Sequence, residues 1–290
     1  MGLDVATREG AAALDDPGFA HLLAVGMSVD GVRRFVGSAP DAPTDVFSVT
    51  KSVLARAVLA AVDEGIFACL DDPITLAPGT GATVRRLLWM TQSWSSDPDM
   101  DALEAGAADP LPAIVAALGG LDGPPGGYRD AAAHLLIREL QHRTGSARAH
   151  VEASVLRPAG IEAARWESDQ TRTPWGHAHL FLSVQELVAL GEHWLGQGWP
   201  VSGEPDRGMA AIPPESLPYA AGFWWAHDPD RVMAAGWGGQ CLILIPSASI
   251  VLATLGVTGW DRSSNTDTLP AHWRPGRELL EKTLLTALMR

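Results

Sequence analysis

Two apolar runs late in the chain constrain the fold most. Cys241–Ile245 is wholly apolar, and Ile250–Leu255 is broken only by Thr254. Runs of this length and content read as strands covered on both faces, so the sheet that holds them needs a layer on each side. Gly222–Ala226 and Arg231–Ala235 carry the same strand signal. Near the other end, Leu22–Val29 and Val32–Val36 flank Asp30-Gly31, a hairpin signature. Between these regions the period changes. A helix is predicted from Ser48 to Glu64, with Val53, Leu54, Ala57, Val58 and Ala61 at helical spacing and Gly65 as its stop. Further helices are predicted near Thr83–Met90, Pro112–Leu118, Asp130–Arg143, Ala147–Leu156 and Ser183–Leu195, the last opened by a Ser183/Glu186 capping box. A final amphipathic helix covers Arg277–Met289. Strands, helices, then strands and a helix predict an α/β layer built from both chain ends, with a mostly helical region inserted. The expected division is residues 1–75 with 205–290 as the sheet domain and 76–204 as the helical domain, with the active site between them.

Charge and composition remove several functions. The chain has 290 residues, 21 Lys plus Arg against 34 Asp plus Glu, and a net charge of −13. An acidic chain without a basic run is a poor ligand for nucleic acid or an anionic membrane. No apolar stretch is long enough to cross a bilayer. Met1–Glu9 has no apolar core of a secretory signal, and Ala6 stands where a myristoylation motif has Ser or Thr. Cys69 and Cys241 are far apart in apolar contexts and are expected as buried free thiols of a cytoplasmic protein. Neither a G-x-G-x-x-G nor a Walker loop is present, so no nucleotide cofactor is expected, and no G-x-S-x-G elbow supports a Ser-His-Asp hydrolase.

Lysine is nearly absent. Lys51 and Lys282 are the two in the chain, and every other basic residue is arginine. An amine can give up its proton when its surroundings favour that; a guanidinium in effect cannot. Lys282 falls on the C-terminal helix as a solvated residue. Lys51 closes Ser48-Val49-Thr50-Lys51 at the head of the first long helix. At i and i+3 the hydroxyl and amine share one face. In the first turn, free N–H groups and the helix dipole favour negative charge. That combination suits Ser48 as a nucleophile passing through an alkoxide-like state, with Lys51 as its proton partner.

The residues around this motif carry a family resemblance. Phe47–Ser52, Val62-Asp63-Glu64-Gly65 and Leu70-Asp71-Asp72-Pro73 resemble the serine β-lactamase and penicillin-binding-protein superfamily, in its class C-like branch of esterases, DD-peptidases and nylon-oligomer amidases. Thr83–Ser93 is similar to that family's "T-I-R-H-L-L-x-x-T-S-G" segment. Gly126–Asp130 with Leu135-Leu136 and Thr144-Gly145 resembles "Y-x-N…LL…TG". Leu156–Ile161 is similar to "L-x-P-L-G-M", and Gly236–Gln240 stands where the third motif precedes a strand. The resemblance runs in order from about residue 22 to the C-terminus. It implies an α+β fold with an antiparallel sheet flanked by helices. It also implies Ser48 as the acylated residue, Tyr128 as the group that takes and returns the serine proton, and an oxyanion hole from the backbone N–H groups of Ser48 and Gln240.

Two departures bear on mechanism. Asp130 replaces the usual Asn of Y-x-N. It either caps the following helix or, close to Lys51, favours the ammonium and shifts the role of base to Tyr128. Trp237-Gly238-Gly239 carries no cation where relatives bind a substrate carboxylate, which argues against penicillin-like substrates. The two glycines suit a strand edge that substrate approaches closely. Trp94 and Trp225 are candidate pocket walls. His177-x-His179 shows no third ligand in the sequence, so no metal is expected. The reading is an acyl-serine hydrolase of a small-molecule ester or amide. The alternatives are an acyltransferase using the same acyl-enzyme, or a non-catalytic binding module on the same fold.

Overall fold

The computed structural model describes residues 2–120, 126–197, 211–212, 217–226, 230–257 and 274–289. Its sheet is antiparallel throughout and has the order β2-β1-β10-β9-β8-β7-β6-β5. The strands are β1 (Leu22–Val29), β2 (Val32–Gly37), β5 (Ala211–Ile212), β6 (Leu217–Ala220), β7 (Phe223–Ala226), β8 (Arg231–Ala235), β9 (Cys241–Ile245) and β10 (Ile250–Gly256). The two apolar runs lie side by side, Ile245 against Ile250 and Cys241 against Thr254, and every residue of both strands is buried. The sheet therefore joins both chain ends through the β1–β10 pairing. The Asp30-Gly31 turn has φ of 49° and 78°, as a two-residue hairpin requires.

Helices cover both faces, and neighbouring residues of β1 show the alternation. Gly26 faces Val184 and Val188 of the helix Val184–Gly196, while Met27 faces Gly10 of the helix α1 (Gly2–Leu14). A Cβ on Gly191 of the first helix would come within 2.5 Å of Val251, so glycine lets this helix lie close on the sheet. On the opposite face α1 packs against the C-terminal helical stretch, Gly276–Glu278 running through a π-helical segment Leu279–Leu285 into Thr286–Leu288. Lys282 is solvated there beside Glu278. The helix α1 has no strong sequence signal, because its buried positions are Ala6 and Gly10.

The helix α2 (Val49–Asp63) is buried on all sides over its first two turns, from Val49 through Ala55. This is a central helix rather than an amphipathic surface one. The intervening segment is mostly helical: α3 (Val84–Leu88), α4 (Met100–Ala105), α5 (Leu111–Ala116), α6 (Asp130–Thr144), α7 (Ala147–Val151) and α8 (Val184–Gly196). The Ser183/Glu186 capping box forms as the spacing predicts. Ala147–Val151 continues as a π-helical turn through Leu156. A two-stranded ribbon, β3 (Thr44–Asp45) with β4 (Phe181–Leu182), ties the approach to α2 to the segment before α8. Asp169, with its side chain fully buried, accepts hydrogen bonds from the backbone of Thr171 and Thr173 and pairs with His134 and Arg138 of α6. Cys69 is exposed rather than buried; Cys241 is buried in β9, and both are free thiols. Among the described residues no helix is long and apolar enough to cross a membrane.

Candidate active site

The site is built at the point where the chain leaves β3 and enters α2. Asp45 Oδ1 accepts the backbone N–H groups of Phe47 at 2.8 Å and His179 at 3.0 Å. Between Asp45 and the helix, Phe47 takes a left-handed φ of 44°, a costly conformation for a bulky residue. The fixed Asp45 contact sustains it, and the turn presents Ser48 at the head of α2. Val46 is also anchored, its N–H donating to Leu180 O at 2.9 Å.

Lys51 is 3% exposed. Its Nζ donates to Ser48 Oγ at 2.7 Å and to the His177 carbonyl at 3.2 Å, and it stands 2.7 Å from Asp130 Oδ1. These three acceptors suit the three donors of an ammonium. Asp130 is therefore more than the first residue of α6. Burial would raise its carboxyl, but the charges of Lys51 and His177 and the hydrogen bond from Lys51 together hold the group below its ordinary range. Lys51 Nζ also lies 4.8 Å from the centroid of the Tyr128 ring, a cation–π contact. The Tyr128 ring is stacked on Trp224 at 5.2 Å and meets Tyr219 edge-on at 5.4 Å. Tyr219 itself is buried, and burial pushes its phenol well above the usual tyrosine range. Of the two tyrosines, Tyr128 is the one that lines the cavity with Ser48.

That cavity holds about 450 Å³. Its walls bring Ser48, Tyr128, Asp130 and Trp237 together, with Phe47 and His177 beside them. They also include Asp97, Asp99 and Asp101, set against Arg129, which pairs with Asp97. The lining is thus acidic, from the approach to α4 and its first turn, a feature that no local pattern announces. Trp94 and Trp225 are not among the lining residues. Trp94 bridges to Leu118, and Trp225 donates its Nε1–H to Ala220 O at 3.2 Å. Successive strand residues point to opposite faces, so on β7 it is Trp224 that reaches Tyr128.

The segment Trp237–Gly239 is a tight turn between β8 and β9 rather than a strand edge. Its glycines answer a different need from the one the sequence suggested. Gly238 and Gly239 have φ of 77° and 94°, and a Cβ on Gly239 would stand 2.6 Å from Leu22 and 3.0 Å from His21. Trp237 leaves the turn toward the cavity and meets Phe47 edge-on at 5.4 Å. Gln240 is 1% exposed. Its side chain donates to Asp45 O at 3.0 Å and accepts from Gly256 N–H, fixing the start of β9 to the Asp45 segment. Gln240 lines a smaller cavity, with Trp237 and Gly276, next to the one holding Ser48.

The histidine pair is not alone. Glu104, at the end of α4, reaches His177 Nε2 at 2.6 Å and His179 Nε2 at 2.9 Å. His179 Nδ1 pairs with Asp45 Oδ2 at 2.8 Å. Burial would lower the His179 imidazole, but the bonds to Asp45 and Glu104 prevail and raise it to about 9. Burial likewise would raise Glu104, yet its two histidine partners hold it well below the usual carboxylate range. The spacing of Glu104 from His177 in sequence gave no sign of this cluster.

Comparison with known proteins agrees with the geometry. Among curated proteins none matches the chain by sequence. Among solved structures, a putative 6-aminohexanoate-dimer hydrolase from Bacillus anthracis is similar at 17% identity and a TM-score of 0.69, over 96% of this chain and 80% of that one. EstCE1, described as a hydrolase with promiscuous acyltransferase activity, matches at 14% identity and 0.71, over 100% of this chain and 99% of its own. A D-stereospecific amidohydrolase from Streptomyces sp. matches at 18% and 0.64, over 87% of this chain and 93% of that one. At these identities the likeness is one of fold. The family evidence comes from sequence, where the Beta-lactamase family matches residues 11–259. With that match across most of its length and an antiparallel sheet between helices, the chain belongs to the Beta-lactamase family.

Proposed function

We propose that the protein is a serine hydrolase that cleaves a small-molecule ester or amide through an acyl-Ser48 intermediate. The observation that carries this is the 2.7 Å contact between Ser48 Oγ and the buried Lys51 Nζ. In this reading Asp130 keeps Lys51 as an ammonium, and the ammonium favours the phenolate of Tyr128. Ser48 Oγ attacks the substrate carbonyl carbon and its proton passes to Tyr128. The carbonyl oxygen becomes an oxyanion held by the N–H groups of Ser48 and Gln240. Collapse breaks the bond to the leaving group, which takes the proton back from Tyr128. Water then attacks the acyl carbon, giving a proton to Tyr128, the bond to Ser48 Oγ breaks as Oγ takes that proton, and the carboxylic acid leaves. The Phe47–Trp237 pair in the cavity wall favours a second reading, in which an alcohol or amine acceptor displaces water and the product is a new ester or amide. A structural neighbour described as a hydrolase with promiscuous acyltransferase activity supports that option.

The acidic walls select the substrate's charge. Asp97, Asp99, Asp101 and Asp130 line the cavity, Arg129 pairs with Asp97 and Lys51 with Asp130, and Trp237 supplies no cation. We assign a substrate that is neutral or cationic near the scissile bond. The cavity is lined from both parts of the chain, Phe47, Ser48 and Trp237 from one and Asp97–Asp101, Tyr128–Asp130 and His177 from the other. This supports a two-domain division with the site between them. The two free cysteines fit a reducing, cytoplasmic setting. The test is turnover of p-nitrophenyl esters whose acyl chains carry an ammonium, no charge or a carboxylate. The ammonium ester should exceed the carboxylate ester in kcat/KM by roughly tenfold or more, which corresponds to about 1.4 kcal/mol, and the gap should narrow with salt. Preference for the carboxylate ester would overturn the charge assignment. Absence of turnover, together with absence of covalent labelling, would leave a binding module.

A further inference from the structure

We propose that Glu104, His177 and His179 form a binding site for a divalent transition metal of the Zn²⁺ class, beside the Ser48 cavity, whose wall His177 helps to form. The donor atoms, one from each residue, lie within 4.8 Å of one another. Two of the separations are already short, 2.6 Å from His177 Nε2 to Glu104 Oε1 and 2.9 Å from His179 Nε2 to Glu104 Oε2. Around a tetrahedral zinc with ligand bonds of about 2.0–2.1 Å the donor atoms stand about 3.3 Å apart. Shifts on the order of 1 Å convert one arrangement into the other. Two imidazoles and one carboxylate are the ligand set of open zinc sites, which keep a fourth position for water.

Three further features fit an ion. Asp45 holds His179 Nδ1 at 2.8 Å and, through its other oxygen, the His179 N–H at 3.0 Å. A carboxylate on the far nitrogen fixes the tautomer that points Nε2 at a metal. His177 is 3% exposed, and its Nδ1 has no hydrogen-bond partner among the described residues. That nitrogen can keep the ring proton while Nε2 binds the ion. The formal charges also close: Asp45 and Glu104 supply two negative charges, two neutral imidazoles none, and a divalent ion balances them. The metal takes the place of the protons shared between Glu104 and the two Nε2 atoms, so binding releases or relocates those protons. Side-chain exposures of 15% for Glu104 and 14% for His179 leave a route for the ion and its water. The site does not depend on the acyl chemistry proposed for Ser48.

The test is titration of the full-length, chelator-treated protein with Co²⁺, read by its visible ligand-field absorption. The wild type should saturate at one ion per chain, and Zn²⁺ should displace the signal. Glu104→Gln and His179→Gln should abolish it, and Asp45→Asn should weaken binding about 10–100-fold while retaining the site. Circular dichroism of each variant confirms that it is folded. Absence of saturable binding in the wild type overturns the proposal, whatever the variants do. Binding unchanged in folded Glu104→Gln and His179→Gln overturns it as well. Labelling of Ser48 is read separately, so its failure would leave the metal result standing.

Discussion

Lys51 Nζ stands 2.7 Å from Asp130 Oδ1, in a site where that lysine side chain is 2% exposed. The contact determines which proton state of Lys51 the site supports. A carboxylate at this distance favours the ammonium, and the amine is correspondingly a poor base. In Asp130→Asn the ammonium loses that support. If activity needs the charged form, the alkaline limb of the pH–kcat/KM profile should move to lower pH by about 1–3 units. A limb that stays in place would separate Asp130 from catalysis and leave it as the acidic residue in the first turn of α6.

Tyr128 offers a cleaner separation of chemistry from packing. Its ring is held by Trp224, Tyr219 and Lys51. Tyr128→Phe keeps all three ring contacts and removes the hydroxyl alone. The rate of acylation should fall by roughly 10²–10⁴-fold, the range for losing a general acid–base, while the thermal unfolding midpoint changes little. A variant with near wild-type acylation would move the proton transfer to another group.

Trp237 lines the cavity without supplying a cation. Trp237→Lys adds a positive charge to the cavity wall and removes the edge contact with Phe47. The preference among charged p-nitrophenyl esters should then shift toward the carboxylate by roughly tenfold. An unchanged ratio would show that the substrate's charged end lies away from this turn.

Acid should destabilise the fold through His21, which packs under the Gly238-Gly239 turn. Burial lowers its imidazole to about 4, against 6.5 in an exposed chain. Between those values the unfolded chain binds a proton that the folded one does not. Stability is therefore complete above pH 6.5 and is lost as pH falls toward 4, by at most about 3 kcal/mol. Urea unfolding at pH 7, 5.5 and 4.5 should show this slope in the wild type and a flatter one in His21→Gln. Parallel slopes would assign the acid sensitivity to other groups.

What the sequence revealed, and what it did not, follows from where each signal is written. The α2 helix, the β9 and β10 strands and the β1–β2 hairpin are specified by local period and turn chemistry, and they form where those patterns lie. Ser48 and Lys51 are legible because one helical turn joins them. The α1 helix is not, because Ala6 and Gly10 make no apolar stripe and the helix is held by docking on Met27 and Leu284. The left-handed Phe47 carries no residue signal, since the contact that sustains it comes from the Asp45 side chain. Asp130 was visible as a departure, but its pairing with Lys51 depends on how α6 packs against α2. The Glu104–His177–His179 cluster joins residues more than 70 positions apart in sequence, brought together by tertiary structure alone.

The central claim is that Ser48 is the activated nucleophile. Intact-mass spectrometry of the wild type after incubation with a fluorophosphonate probe, followed by peptide mapping, tests it directly. One adduct per chain on Ser48, absent from a folded Ser48→Ala variant, is the predicted result. No adduct on the wild type, or one that persists in Ser48→Ala, would contradict it.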